Sequence, residues 1–209
     1  MQTIPSPAAA NTARRRAFVD AALQEFMVHG YAGTTMSSIA ARIGGSKTTL
    51  WSYFASKEAL FEAVVDHIVE HHGDVVSINF PEQDNPIEVL RSFATLLMDN
   101  LTSEPILRLY RLVIGEAERF PHLAHLFFER GPKRGKVRLI DYLGRLMADG
   151  RLRTGDPVRA AEQFVGLCQC GVYQYALLNL PEGRNRDRLA EEIEDALIYF
   201  SRCWLTRQG

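Results

Sequence analysis

The sequence predicts an all-α protein, with an N-terminal three-helix unit built around a helix-turn-helix and a larger helical bundle behind it. Three observations carry that reading. Apolar residues recur at the i, i+3, i+4, i+7 spacing that gathers side chains on one helical face. Two short stretches of this kind meet at Gly44-Gly45, and from Asn85 to the end no segment reads as a strand. With 209 residues, 46% hydrophobic and 23% charged, the chain can bury a real core in one or two domains of ordinary globular composition.

Residues 1–13 are rich in Ala and Pro and read as a flexible arm that ends at Arg14, Arg15 and Arg16. A basic arm of this kind can enter a minor groove of DNA, although the same arginines suit a solvated helix start. Residues 14–58 form the first domain. Its first helix carries Ala17, Phe18, Ala21, Ala22 and Phe26 at core spacing and stops at Gly30, with Tyr31 packing beneath the next unit. Met36, Ile39, Ala40 and Ile43 then define a second helix, for which Thr35 is the N-cap. Gly44 and Gly45 stop it, and Ser46 caps a third helix. In that third helix Leu50 and Phe54 lie one turn apart and face inward, leaving Lys47, Thr48, Thr49, Trp51 and Tyr53 for a partner.

This outward set is polar, aromatic and cationic. A helix with its side chains is about 10 to 12 Å across and matches the roughly 12 Å width of the DNA major groove. Threonine hydroxyls and methyls can meet base edges, while Lys47, Lys57, the Trp51 indole, the Tyr53 hydroxyl and the Thr35 hydroxyl suit phosphate oxygens. The segment resembles the DNA-binding domain of the TetR family of one-component transcriptional regulators. The resemblance rests on Thr35, Ile39-Ala40, Ile43-Gly44-Gly45-Ser46, Leu50-Trp51, Tyr53-Phe54 and Lys57. Three positions depart from the family pattern: Ile43 replaces a small residue, Gly45 a valine and Trp51 a tyrosine. The larger Ile43 is expected to fill volume that the missing valine leaves. An indole donates a hydrogen bond but cannot accept one, so a phosphate contact survives at Trp51.

The net charge of −1 would argue against nucleic acid if it were evenly spread. It is not: up to residue 60 there are six Lys or Arg and three acids, net +3, leaving 18 basic and 22 acidic residues, net −4, in the remainder. A basic head on an acidic body concentrates DNA attraction at one end. The sequence shows neither an apolar run long enough to span a bilayer nor a signal-peptide core, so a cytoplasmic location is expected. Cys168, Cys170 and Cys203 are odd in number and lack the CxxC spacing of a zinc pair, and they read as helix-packing residues rather than a redox pair.

Residues 59–209 make the second region. The helix opened by Lys57 and Glu58 runs through Leu60, Phe61, Val64, Val65 and Ile68 to about His72. Asn85-Pro86 and Asp156-Pro157 each put a capping residue before a proline at the first helical position. Between them lie apolar-periodic stretches at 90–101, 106–117, 122–128 and 137–147, the last ended by Gly150. One long helix is expected from Pro157 through Leu178, striped by Phe164, Val165, Cys168, Val172, Tyr175 and Leu178. The final helix carries Leu189, Ile193, Ala196, Leu197, Phe200 and Trp204, with Glu191, Glu192, Glu194 and Asp195 opposite.

The family resemblance implies that these last two helices form a four-helix interface in a homodimer, here through Phe164, Tyr175, Leu178, Leu197, Phe200 and Trp204. Completion of the intrachain core is the alternative use of the same stripes. Two heads would meet half-sites of a near-palindromic double-stranded DNA operator about 34 Å apart. The resemblance also implies a small-molecule effector in the bundle, and Phe93, Leu97, Tyr110, Val113, Phe127, Gln169 and Tyr173 mix aromatic bulk with polar tips as such a pocket requires. No cofactor and no metal is expected. His67 and His71 at i, i+4 have ligand spacing but read as solvated, and the basic run from Arg130 to Arg138 lacks phosphate-loop spacing and reads as an exposed bend. The rival classes are a constitutive DNA-binding activator or architectural protein, and an all-helical enzyme for which no catalytic constellation emerges.

Overall fold

The computed structural model describes residues 7–72, 80 and 85–206. The elements are α1 (Pro7–Gly33), α2 (Met36–Arg42), α3 (Lys47–Tyr53), α4 (Lys57–His72), α5 (Pro86–Leu101), α6 (Glu104–Glu116), α7 (Pro121–Phe128), a π turn (Glu129–Lys133), α8 (Arg134–Ala148), α9 (Pro157–Cys168), α10 (Val172–Leu177), a 3-10 turn (Pro181–Arg184) and α11 (Arg186–Trp204). Among the described residues β pairing amounts to one isolated bridge, between Leu152 and Leu205. The chain divides into two compact units, one comprising the residues up to Glu70 with Arg108–Arg130, the other His71–Leu107 with Gly131 to the end.

In the first unit, α1 starts earlier than the sequence suggests. Residues 7–13 are helical, where an arm reaching to residue 13 was expected, because Pro7 suits a first helical position and Ala8, Ala9 and Ala10 have the highest helix propensity. The expected stop at Gly30 is a break in the helix, with φ 71°, and one further turn follows to Gly33. Phe18, Phe26, Tyr31, Leu60, Phe61, Val64 and Val65 fill the core with at most 1% exposure each. Tyr31 is buried, its ring 5.5 Å from both Phe26 and Phe61 and 5.0 Å from Phe120. Glu25 is buried on α1 and accepts a 2.8 Å hydrogen bond from Nε of Arg42, tying α1 to the end of α2.

Two further contacts fasten α6 and α7 within this unit. Oε1 of Glu116 accepts the Ala32 N–H at 2.9 Å, and the Arg130 guanidinium donates to Glu62 and, at 2.5 Å, to Asp66 on α4. The basic run after Arg130 is therefore not a bend. Helical winding continues from α7 through the π turn, which contains Pro132, into α8.

In the second unit α5, α8, α9 and α11 pack through one continuous aromatic chain. Phe80 stacks on Tyr142 at 4.9 Å and approaches Phe93 at 5.7 Å; Phe93 reaches Phe164 at 6.3 Å, and Phe164 meets Phe200 edge-on at 5.0 Å. The Asn85 and Asp156 caps form as expected, each side chain accepting the N–H two residues on. The single long helix expected from Pro157 is two helices. Gly171 adopts φ +55°, and the carboxylate of Glu192 occupies the space a side chain there would need while accepting the Val172 N–H at 2.9 Å. Glu192, expected on the solvent side of α11, thus caps α10.

Two outcomes follow. The Arg42 hydrogen bond, opposed by burial, holds the Glu25 carboxyl below its ordinary range. Stability from this pair is complete above about pH 4.3, the ordinary carboxylate value, and is lost as pH falls through the depressed folded value. E25Q is expected to lower the thermal midpoint by roughly 2 to 4 °C at pH 7, with the difference from the parent shrinking in calorimetric scans as pH falls through the depressed value of the carboxyl. Burial, with Cys170 nearby, pushes the Cys168 thiol up to about 12. A thiol reagent at pH 8 is expected to spare Cys168 in the folded protein and to label it only after denaturant is added, as peptide mass mapping would show.

Candidate nucleic-acid interface

The third helix is short, and its position is set at both ends. Ser46 Oγ accepts the Thr49 N–H at 3.0 Å, and the Ser46 and Thr49 hydroxyls bond at 2.7 Å. Leu50 is 0% exposed and Phe54 is 3%, so α3 is pinned by its apolar side. The preceding α2 opens in a capping box in which Thr35 Oγ1 accepts the Ser38 N–H at 3.0 Å while Ser38 Oγ accepts the Thr35 N–H at 3.2 Å. Between these helices Gly44, with φ +62°, supplies the left-handed residue the turn needs, whereas Gly45 has no such requirement. Ile43 carbons lie 3.5 and 3.6 Å from where a Cβ on Gly45 would stand, next to an Arg14 guanidinium nitrogen at 3.3 Å.

What α3 presents outward is a small mixed surface. Lys47, Thr48, Trp51 and Ser52 are exposed, Trp51 by 44%, and Thr49 and Tyr53 are half-buried. The Tyr53 ring packs 5.5 Å from Phe18, and the Thr49 hydroxyl is engaged in the cap, so both serve the fold as well as the surface. Ser52 was overlooked in the sequence, although it stands four residues after Thr48 and therefore shares its face; its hydroxyl donates to the Thr49 carbonyl at 2.7 Å. Arg14, Arg15 and Lys47 have no carboxylate partner among the described residues. Lys57 differs from the expectation of a phosphate contact. Its ammonium donates to the carbonyls of Tyr31 and Thr34 at 2.8 and 3.0 Å and lies 4.2 Å from the Tyr31 ring centre, and burial lowers its pKa. It closes the end of α1 because the carbonyls there have no helical partner.

The residues expected at a dimer interface divide. Phe164, Leu197 and Phe200 are at most 2% exposed within their own chain and belong to its core, because the stripes of α9 and α11 face each other and α5. Trp204 is half-buried, stacks on Phe200 and donates from its indole to Gln163 at 2.9 Å. Tyr175 lies under the Arg188 guanidinium, and Leu178 is 70% exposed. The apolar residues that α9 and α11 leave to solvent are others: Val158, Ile198 and Tyr199.

The candidate effector residues fall in two groups. Tyr110, Val113 and Phe127 belong to the first unit, with the Tyr110 and Phe127 rings 4.7 Å apart. Phe93, Leu97, Gln169 and Tyr173 belong to the second, and all but Gln169 are buried there. Among the described residues no group of three or more His, Cys, Asp or Glu side chains could hold a metal ion. His67 lies 3.4 Å from Asp20; the His71 side chain is outside the described residues.

The comparisons with known proteins agree with this geometry at both ends of the chain. Residues 18–64 match the family described as bacterial regulatory proteins, tetR family, and residues 88–205, more than half of the chain, match the AefR-like transcriptional repressor C-terminal domain. The HTH-type transcriptional regulator RutR of Escherichia coli (strain K12) is 44% identical over 59 residues, a match covering 28% of this chain and 28% of that relative. The solved structure of the flavonoid-responsive regulator FrrA is 31% identical, with a TM-score of 0.81 over 94% of this chain and 99% of that one. A TetR-family regulator structure from Mesorhizobium loti MAFF303099 is 27% identical, with a TM-score of 0.76 over 93% and 98% of the two chains. The two family models, which cover the helix-turn-helix head and the C-terminal helical domain, together with FrrA at 31% identity over 99% of its length, make this chain a member of the TetR family of DNA-binding transcriptional regulators.

Proposed function

We propose that the protein is a homodimeric repressor that holds a near-palindromic operator through α3 of each head and leaves it when a small molecule binds. The observation that carries the reading is the solvent face of α3, where Lys47, Thr48 and Trp51 project from a helix fixed by Ser46, Leu50 and Phe54. Threonine can touch base edges and thymine methyls, and Lys47 and the Trp51 indole can bind phosphates. One such helix covers only a few base pairs, so useful specificity calls for two heads related by a twofold axis. Leu178 at 70% exposure, Tyr199 at 53%, Ile198 at 46% and Val158 at 44% are large apolar groups that a partner copy would cover. No helix among the described residues is long and apolar enough to cross a membrane, consistent with a regulator acting on DNA in the cytoplasm.

Release requires the effector to bind two conformers with unequal affinity. Phe93 and Tyr173, both in the second unit, suit a flat organic molecule, and FrrA, 31% identical, is named as flavonoid-responsive. Flavonoids are therefore the first effector class to test. The domain division that accompanies this reading assigns DNA binding to residues 14–58 and effector binding and dimerisation to 59–209.

An operator selected from random duplexes allows both parts to be measured. T48A/W51A is expected to bind it roughly 10- to 100-fold more weakly with an unchanged melting temperature, through the joint loss of a base contact at Thr48 and a phosphate contact at Trp51. Unchanged affinity would remove α3 as the reading element. A flavonoid panel titrated into the complex is expected to contain at least one compound that weakens binding tenfold or more. If neither the panel nor a general metabolite library changes the affinity, a constitutive DNA-binding protein is the better description.

A further inference from the structure

Two arginines from α1 bracket the reading helix, and each is held by an aromatic ring. The Arg14 guanidinium lies 5.6 Å from the centre of the Phe18 ring, and a nitrogen of it comes within 3.3 Å of the place a Gly45 side chain would occupy, beside the Ser46 cap that opens α3. The Arg15 guanidinium lies 5.0 Å from the ring of Phe54, the residue that closes α3. Phe18 is 0% exposed and Phe54 is 3%, so both seats are rigid parts of the core. Neither arginine has a carboxylate partner among the described residues. A guanidinium resting on a ring at an exposed site is modestly favoured there before any partner arrives, and its fork of donors fits phosphate oxygens.

We propose that Arg14 and Arg15 form a preset phosphate clamp at the two ends of α3, and that Gly45 is a positioning residue whose missing side chain seats Arg14. This rests on the DNA reading given above and replaces the minor-groove arm that the sequence suggests, since both arginines project from a folded helix and not from a loose segment. A Cβ at Gly45 would stand 3.3 Å from that Arg14 nitrogen, so the guanidinium would have to shift, and the branches of a valine would crowd it further. The glycine that departs from the family's valine therefore serves the contact of its neighbour.

The test uses the full-length protein and two 40-base-pair duplexes that share a selected operator core and differ in AT-rich or GC-rich flanks. Binding is measured across a salt series by fluorescence anisotropy. R14A and R15A are expected to weaken binding equally on both duplexes and each to reduce the log-log salt slope by about 0.9 per bound head. G45V is expected to reduce the slope as R14A does, and R14A/G45V to bind no more weakly than R14A alone. A loss confined to the AT-rich flank would overturn the clamp in favour of minor-groove reading, and an unchanged slope in R14A and R15A would overturn it outright. Additive losses in R14A/G45V would overturn the role of Gly45. If G45V proves unstable by circular dichroism, G45A replaces it, with the same expected ordering. A parent protein showing no salt dependence at all would instead count against the DNA reading itself.

Discussion

A single ammonium group, that of Lys57, joins the separate pieces of the reading head. It donates to two carbonyls where α1 ends, at Tyr31 and Thr34, and sits against the Tyr31 ring, whose edges and faces meet Phe26, Phe61 and Phe120. Carbonyls at a helix end lack internal partners, and in a partly buried setting water cannot reach them freely. A cation there satisfies both at once and starts α4 from the same point. Together with the Arg42–Glu25 pair and the buried Leu50 and Phe54, this contact fixes the head from which α3 presents its exposed face.

The disposition of charge follows the same economy. Several cations that serve the fold are paired with carboxylates: Arg42 with Glu25, Arg130 with Glu62 and Asp66, Arg91 with Glu88 and Glu194. Arg14, Arg15 and Lys47 are left without carboxylates among the described residues. An uncompensated cation on a solvated surface costs little, yet it is available to an anion such as a nucleic-acid backbone.

Local signals carried most of what could be read in advance. The caps at Thr35, Ser46, Asn85 and Asp156, the Gly44 turn and the inward pair Leu50 and Phe54 all depend on residues within a turn or two of one another, and the structure shows each of them. What the sequence hid was set by distant partners. Lys57 was assigned outward because nothing nearby in the chain shows that α1 ends against it. Helical periodicity ran unbroken through Gly171, since the Glu192 carboxylate that fixes the break lies on another helix. Phe164, Leu197 and Phe200 form genuine apolar stripes, but periodicity cannot tell whether a stripe meets its own chain or a second copy.

The Glu116 contact to the Ala32 N–H and the Phe120 contact to Tyr31 bear on how far such proteins are modular. A graft that moves residues 1–64 onto the body of another regulator would leave behind Arg108–Arg130, which folds as part of the same compact unit. The transplanted head would then expose one edge of its aromatic core and a backbone donor formerly answered by a carboxylate. Interchangeable sensors for synthetic circuits built on this scaffold would carry the α6–α7 segment along with the head.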